Sequence, residues 1–183
     1  MRLFIAAPLP RELGERASAL LPSIPGLVRV RPELMHITLA FIGDTADGQL
    51  PAAVAATAAA ALGRAPFELC FDRAGRFPRS GRPRIIWLGT GTGTLELTEL
   101  AGAVGRCLRE RGVRFDDRAF APHVTLARTR EGLDPDDARA IAAAIDGLQV
   151  PVWCALVDRI ALIQSVLFRE GPRYTERSSA PLA

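Results

Sequence analysis

Two four-residue stretches constrain this chain more than any other feature. His36-Ile37-Thr38-Leu39 and His123-Val124-Thr125-Leu126 share one pattern, and between them they hold both histidines of the 183 residues. In an extended strand, residues two apart share a face. His36 and Thr38 therefore point one way, and Ile37, Leu39 and Phe41 the other. His123 and Thr125 share a face in the same manner, with Val124 and Leu126 behind them. Each stretch sets an imidazole beside a hydroxyl, backed by apolar side chains. A lone histidine in an apolar strand is ordinarily structural, and threonine is a good strand former in its own right. The same offset between His and Thr in both stretches is what favours a shared chemical role.

The order of elements repeats around these stretches. In the first half, a strand over Leu3–Ala7 leads into a helix that Pro8 and Pro10 open and that runs to about Leu21. A short strand over Val28–Arg31 and the His36–Phe41 strand follow, and then an alanine-rich helix from about Pro51 to Leu62. Phe67, Leu69 and Phe71 alternate with polar residues as in a half-buried strand, and Gly75–Arg84 reads as a loop. In the second half, a strand over Arg84–Gly89 is followed by a helix capped by Thr94, with a face of Leu97, Leu100, Val104 and Leu108. Val113–Phe115 is expected as a short strand before the Pro122–Arg128 motif strand. Asp134-Pro135-Asp136-Asp137 starts a helix whose core face is Ala138, Ile141, Ile145 and Leu148. Strands are expected over Val150–Cys154 and Asp158–Val166, a short one over Arg173–Arg177, and a loose tail over 178–183. A duplicated lobe folded about a pseudo-twofold axis would bring both motif faces to one cleft.

Composition narrows the chemistry. All 23 of the basic residues are arginine, so lysine chemistry, including a nucleotidyl-lysine ligase mechanism, is excluded. A net charge of +3 suits an anionic substrate. Cys70, Cys107 and Cys154 are scattered, odd in number and lack C-x-x-C spacing, which reads as reduced thiols in the cytosol, without a zinc site. No acidic cluster of Mg²⁺ character accompanies the motifs, so neither metal nor cofactor is expected. The alanine-rich run is far short of the ~20 residues that cross a bilayer, and no membrane partner is expected. Two imidazoles with ordinary pKa values near 6.5 suit shared acid and base work near neutrality. Two threonine hydroxyls suit donation to phosphate oxygens as charge builds.

Taken together, the motifs resemble the paired H-x-T-x signatures of the two-histidine phosphoesterases. The nearest branch is that of the bacterial and archaeal RNA 2′,3′-cyclic phosphodiesterases, also called LigT-like or 2′-5′ RNA ligase proteins. Arg2-Leu3-Phe4-Ile5-Ala6, Arg31-Pro32-Glu33, Phe41-Ile42-Gly43 and Arg84-Ile85-Ile86-Trp87-Leu88-Gly89 fit that branch. So do Arg118-Ala119-Phe120-Ala121-Pro122 and Leu162-Ile163-Gln164-Ser165 with Gly171 and Tyr174. Leu34-Met35 departs from the branch's usual Asn-Leu before the first histidine.

The resemblance implies an α+β, bilobal fold: antiparallel sheet and helices around a central cleft, as one domain over residues 1–183. It implies metal-independent opening of RNA 2′,3′-cyclic phosphate ends to 2′-phosphates, with His36 as proton donor and His123 as proton acceptor. Thr38 and Thr125 are the expected substrate contacts, in a cytoplasmic monomer. Reverse 2′-5′ ligation, a small cyclic nucleotide or ADP-ribose cyclic phosphate as substrate, and an RNA-end binding module without catalysis are the alternatives. Arg128 is either a further phosphate contact or a surface residue; strict alternation puts it on the wrong face unless a bulge turns it inward. Phe41 is either core or a base-stacking surface, and the Arg76–Arg84 segment either guides RNA or is a solvated loop.

Overall fold

The two histidine strands form the middle pair of one antiparallel sheet of nine strands. The computed structural model describes residues 1–183. The first half contributes β1 (Arg2–Pro8), α1 (Arg11–Ala19), β2 (Leu27–Arg29), β3 (His36–Asp44) and α2 (Leu50–Ala61). Then come β4 (Phe67–Phe77), β5 (Ile85–Thr90), α3 (Thr94–Glu110), β6 (His123–Thr129) and α4 (Pro135–Asp146). Three strands close the chain: β7 (Trp153–Val157), β8 (Arg159–Phe168) and β9 (Gly171–Pro181). The sheet order is β7-β4-β5-β6-β3-β1-β8-β9, and β2 pairs with the far end of β6. Outward from the centre, β3, β1, β8 and β9 answer β6, β5, β4 and β7. The two expected lobes are thus the two halves of one curled sheet.

Those halves meet at a single residue pair, Ile37 opposite Val124. Both side chains are fully buried and belong to the main core, with Leu3, Ile5, Leu39 and Leu126 from the same sheet face. The helices cover that face. In α2, Ala53, Ala56, Thr57 and Ala60 are buried at helical spacing, and α3 buries Leu97, Leu100, Val104 and Leu108. In α4, Asp134 caps the helix by accepting from the Asp136 N–H, and Ala138, Ile141 and Ile145 face inward. Truncating the joint is expected to be costly: Ile37→Ala leaves a cavity where the halves meet. It should lower unfolding free energy by about 2–5 kcal/mol in a urea titration.

Several expectations are corrected, among them the cap of α3, which begins at Thr94 itself with Gly93 before it and no side-chain cap, and the Val150–Cys154 strand, which runs over Trp153–Val157 instead. Val113–Phe115 forms no strand; that segment gives β3 one isolated bond, Asp116 N–H to the Phe41 carbonyl (2.8 Å), too little for a ladder. Residues 178–183 are not loose, because β8 offers an open edge that β9 follows as far as Arg159 opposite Pro181. Ala180 and Leu182 are buried as a result. The loop placed at Gly75 starts later, since β4 runs on to Phe77 against β5. Finally, Cys70 and Cys154 are not free thiols: β4 and β7 set them directly opposite each other, and they form a disulfide. Only Cys107 remains free.

Candidate active site

Both motifs contain the same irregularity. Along β3, Ala6 pairs with Thr38 and Ile5 with Ala40, so Leu39 is an extra residue. Along β6, Trp87 pairs with Thr125 and Ile86 with Ala127, so Leu126 is extra. The bulge falls on the fourth residue of each motif, and two successive side chains turn to the core: Leu39 with Ala40, and Leu126 with Ala127. Alternation then restarts one residue late. Phe41 and Arg128, three residues after their threonines, return to the histidine face. Arg128 is turned inward in the way strict alternation forbids. Phe41 is corrected: it faces the cleft instead of the core, under the Arg2 guanidinium at 5.0 Å from its ring centre.

The face so formed lines a cleft of about 520 Å³. His36, Thr38, His123, Thr125 and Arg128 all reach it. Ile37 opposite Val124 is the pair that joins the strands, so His36 and Thr38 flank the joint on β3 and His123 and Thr125 flank it on β6. Each imidazole thus has a threonine hydroxyl two residues along its own strand, and all four side chains line the same cleft. The Arg76–Arg84 segment lies elsewhere. Arg76 makes a two-pronged bond to Asp146 of α4 (2.9 Å to each oxygen), and Arg82 donates to the Leu133 carbonyl. These two arginines tie the segment to the fold.

Backbone carbonyls orient both rings. His36 Nδ1 lies 2.7 Å from the Leu34 carbonyl oxygen, and His123 Nδ1 lies 2.7 Å from that of Ala121. A carbonyl accepts only, so each Nδ1 carries hydrogen and each Nε2 is left for the cleft. His36 Nε2 is 3.2 Å from Thr38 Oγ1.

The surroundings of the two rings differ, and sequence reading missed the residues responsible. His36 stacks on Phe4 (4.8 Å between centres) and takes the edge of Tyr174 (5.5 Å). His123 meets the edge of Phe77 (5.3 Å), which leans in turn on Trp87 (5.3 Å). Trp87 lies flat over Gly75, where a Cβ would come within 2.3 Å of the indole. The only advance signal was the placing of Phe4, Trp87 and Tyr174 within the family-like segments.

Burial holds the His36 imidazolium below its usual pKa; the Leu34 carbonyl opposes this, and the charges of His123 and Arg128 add to it. Burial pushes the Tyr174 phenol up, against the pull of Arg128 and Arg2, so it stays a hydrogen-bond donor at neutral pH. The sign for an arginine variant follows. Arg128→Gln removes one of the charges that disfavour the imidazolium, so His36 should titrate at higher pH. NMR titration of the ring protons checks this; an unmoved or lowered His36 midpoint counts against a charge-coupled cleft.

Arginines dominate the cleft walls. Arg2, Arg31 and Arg128 line it with one carboxylate, Glu170, while Arg29 at its edge gives its guanidinium to the Ser18 and Leu21 carbonyls and Arg31 also lies 3.7 Å from Glu33. That balance suits an anionic ligand. The one cluster with a metal-like donor set, Glu68 with Cys70 and Cys154, lies outside the cleft on β4 and β7, and its sulfurs are joined to each other.

Comparison with known proteins agrees with this geometry. The family model of the 2′-5′ RNA ligase superfamily matches residues 23–166. An Aeropyrum pernix protein named RNA 2′,3′-cyclic phosphodiesterase is 36% identical over 156 residues, spanning 79% of this chain and 80% of that protein. A Thermus thermophilus protein of the same name is 34% identical over 183 residues, spanning 96% and 87%. The crystal structure of E. coli LigT complexed with 3′-AMP matches with a TM-score of 0.77 at 27% identity, covering 100% of this chain and 98% of that one.

Proposed function

Since the chain belongs to the 2′-5′ RNA ligase superfamily, we propose that its cleft is a two-histidine catalytic site for RNA 2′,3′-cyclic phosphates. The protein is an enzyme that hydrolyses such ends. The carrying observation is the pair of His–Thr units flanking one joint, each ring anchored at Nδ1 and presenting Nε2. The cyclic phosphate sits between them, with Thr38 and Thr125 hydroxyls donating to its non-bridging oxygens. His123 Nε2 takes a proton from the attacking water, and His36 Nε2 gives one to the departing 3′ oxygen. The product is then a 2′-phosphate. His36, held below its usual pKa in the free protein, regains its proton as the phosphate's negative charge enters beside it. Arg128, turned in by the Leu126 bulge, balances that same charge.

Residues 1–183 act as one two-lobed domain, and the monomer is the working unit, because one chain supplies both histidines and both threonines. No helix is long and apolar enough to cross a membrane.

The test is incubation with an oligonucleotide ending in a 2′,3′-cyclic phosphate. Ring opening to a 2′-phosphate is expected, and the rate should hold in excess EDTA, since the cleft offers one carboxylate and no metal-binding trio. A 3′-phosphate product would reverse the regiochemistry. Tight binding without turnover would leave a binding module, and loss of activity in EDTA with rescue by one divalent ion would remove the two-histidine mechanism.

A further inference from the structure

At the β7 edge of the sheet, three side chains with metal-binding donor atoms share one face. Cys70 and Cys154 stand directly opposite each other on β4 and β7, and Glu68, two residues before Cys70, shares their face. Their donor atoms all lie within 4.8 Å of one another, and Glu68 Oε1 is 3.8 Å from Cys70 Sγ. The ladder holds this arrangement independently of the disulfide. Successive pairs join β4 to β7, from Phe67 opposite Val157 to Phe71 opposite Trp153. Leu69, Phe71 and Val157 point to the other face and are buried in the main core. Reduction therefore leaves the two sulfurs side by side. Cys154 and Glu68 are exposed, so a reductant and an ion both reach the group from solvent.

Charge decides what the reduced pair is suited to. Thiols that attack or exchange sit in electropositive surroundings, which favour the thiolate. Here the neighbouring charge is negative. Glu68 takes part in none of the ion pairs of the chain. Arg73, the nearest arginine along the strand, is bonded to Asp72 (2.8 Å). A carboxylate left unpaired beside two sulfurs suits a cation. Two thiolates and a carboxylate are ligand types of zinc. Around one tetrahedral zinc, with sulfur at about 2.3 Å and oxygen at about 2.1 Å, such donors stand about 3.6–3.8 Å apart. Glu68 Oε1 and Cys70 Sγ already have that separation. Rotation about Cα–Cβ gives it to the two thiols.

We propose that Glu68, Cys70 and Cys154 form a redox-gated site for a thiophilic divalent cation, with zinc as the fitting ion. As the disulfide, the site is closed. A dithiol reductant opens it, passing two electrons and two protons to the sulfurs and becoming a disulfide itself. The ion then displaces both thiol protons and binds two thiolates and the Glu68 carboxylate, with water in the fourth position. None of these residues lines the cleft, so the site does not depend on the reaction proposed there.

The experiment uses the whole protein, reduced with a phosphine, freed of it under nitrogen and titrated with Co²⁺ as a coloured stand-in for zinc. Thiol titration in denaturant should count one free thiol before reduction and three after. The reduced protein should take up one Co²⁺ per chain, show the ultraviolet charge-transfer band of thiolate ligation, and give the ion up to Zn²⁺. The oxidised protein should show no band. Cys154→Ser, at an exposed position, should lose the binding. Glu68→Gln should weaken it about tenfold or more, since even a group that only orients a ligand is worth that. Cys107→Ser should change nothing, because Cys107 lies on α3. Circular dichroism checks the fold of each variant. No band in the reduced wild type overturns the site. A band that persists in Cys154→Ser, or unchanged affinity in Glu68→Gln, overturns its ligand set, and three free thiols before reduction overturn the gate.

Discussion

His36→Ala should lose about 10²- to 10⁴-fold in hydrolysis of a natural 2′,3′-cyclic phosphate and recover most of that loss when the 3′ bridging oxygen is replaced by sulfur. Opening the ring requires a base on water and an acid on the leaving oxygen, in line across phosphorus. One imidazole cannot serve both in one step, and the sheet joint supplies a second. A thiolate leaves without protonation, so the 3′-thio substrate bypasses the acid. His123→Ala should lose a similar factor on the natural substrate and recover nothing on the sulfur analogue, because the water still needs its base. Rescue of His123→Ala instead would exchange the two roles. Both rings stand on buried strands but their side chains line an open cleft, so the variants should fold; an unchanged melting temperature establishes this. In the wild type, kcat/KM should be bell-shaped in pH, with limbs that belong to the pair.

The second large effect concerns the hydroxyls. Thr38→Val and Thr125→Val keep shape and strand propensity but delete a donor aimed at the phosphate. Each should cost about 2.7–4 kcal/mol of transition-state stabilisation, a loss of ~10²- to 10³-fold in kcat, the scale of one oxyanion donor. KM should change much less, since the interaction strengthens as charge builds on the oxygens. Thr38→Val also removes the partner 3.2 Å from His36 Nε2, so its pH profile should move as well as its rate. The double variant should lose less than the product of the two factors, because both hydroxyls act on one phosphate. Full activity in both single variants and the double would reduce the threonines to strand formers.

The local order of this protein was legible in the chain because it depends on near neighbours. The two-residue period of His-x-Thr sets imidazole and hydroxyl on one face wherever the strand goes. The cap at Asp134 and the face of Leu97, Leu100, Val104 and Leu108 likewise depend on helical spacing alone. The family-like segments carried the fold class and the substrate class. Long-range register was not legible. Nothing near Leu39 or Leu126 announces a bulge; it arises because β1 and β5 offer one residue fewer than β3 and β6, and it decides that Phe41 and Arg128 face the cleft. The open edge of β8, not any pattern in 178–183, orders the chain's end. Cys70 and Cys154 stand 84 residues apart in sequence, and only the pairing of β4 with β7 brings them together. The same holds for the difference between the two histidines. Their motifs are alike, but Phe4 and Tyr174 desolvate one while Phe77 borders the other, and which aromatic ring reaches which imidazole is settled by packing across strands far apart in the chain.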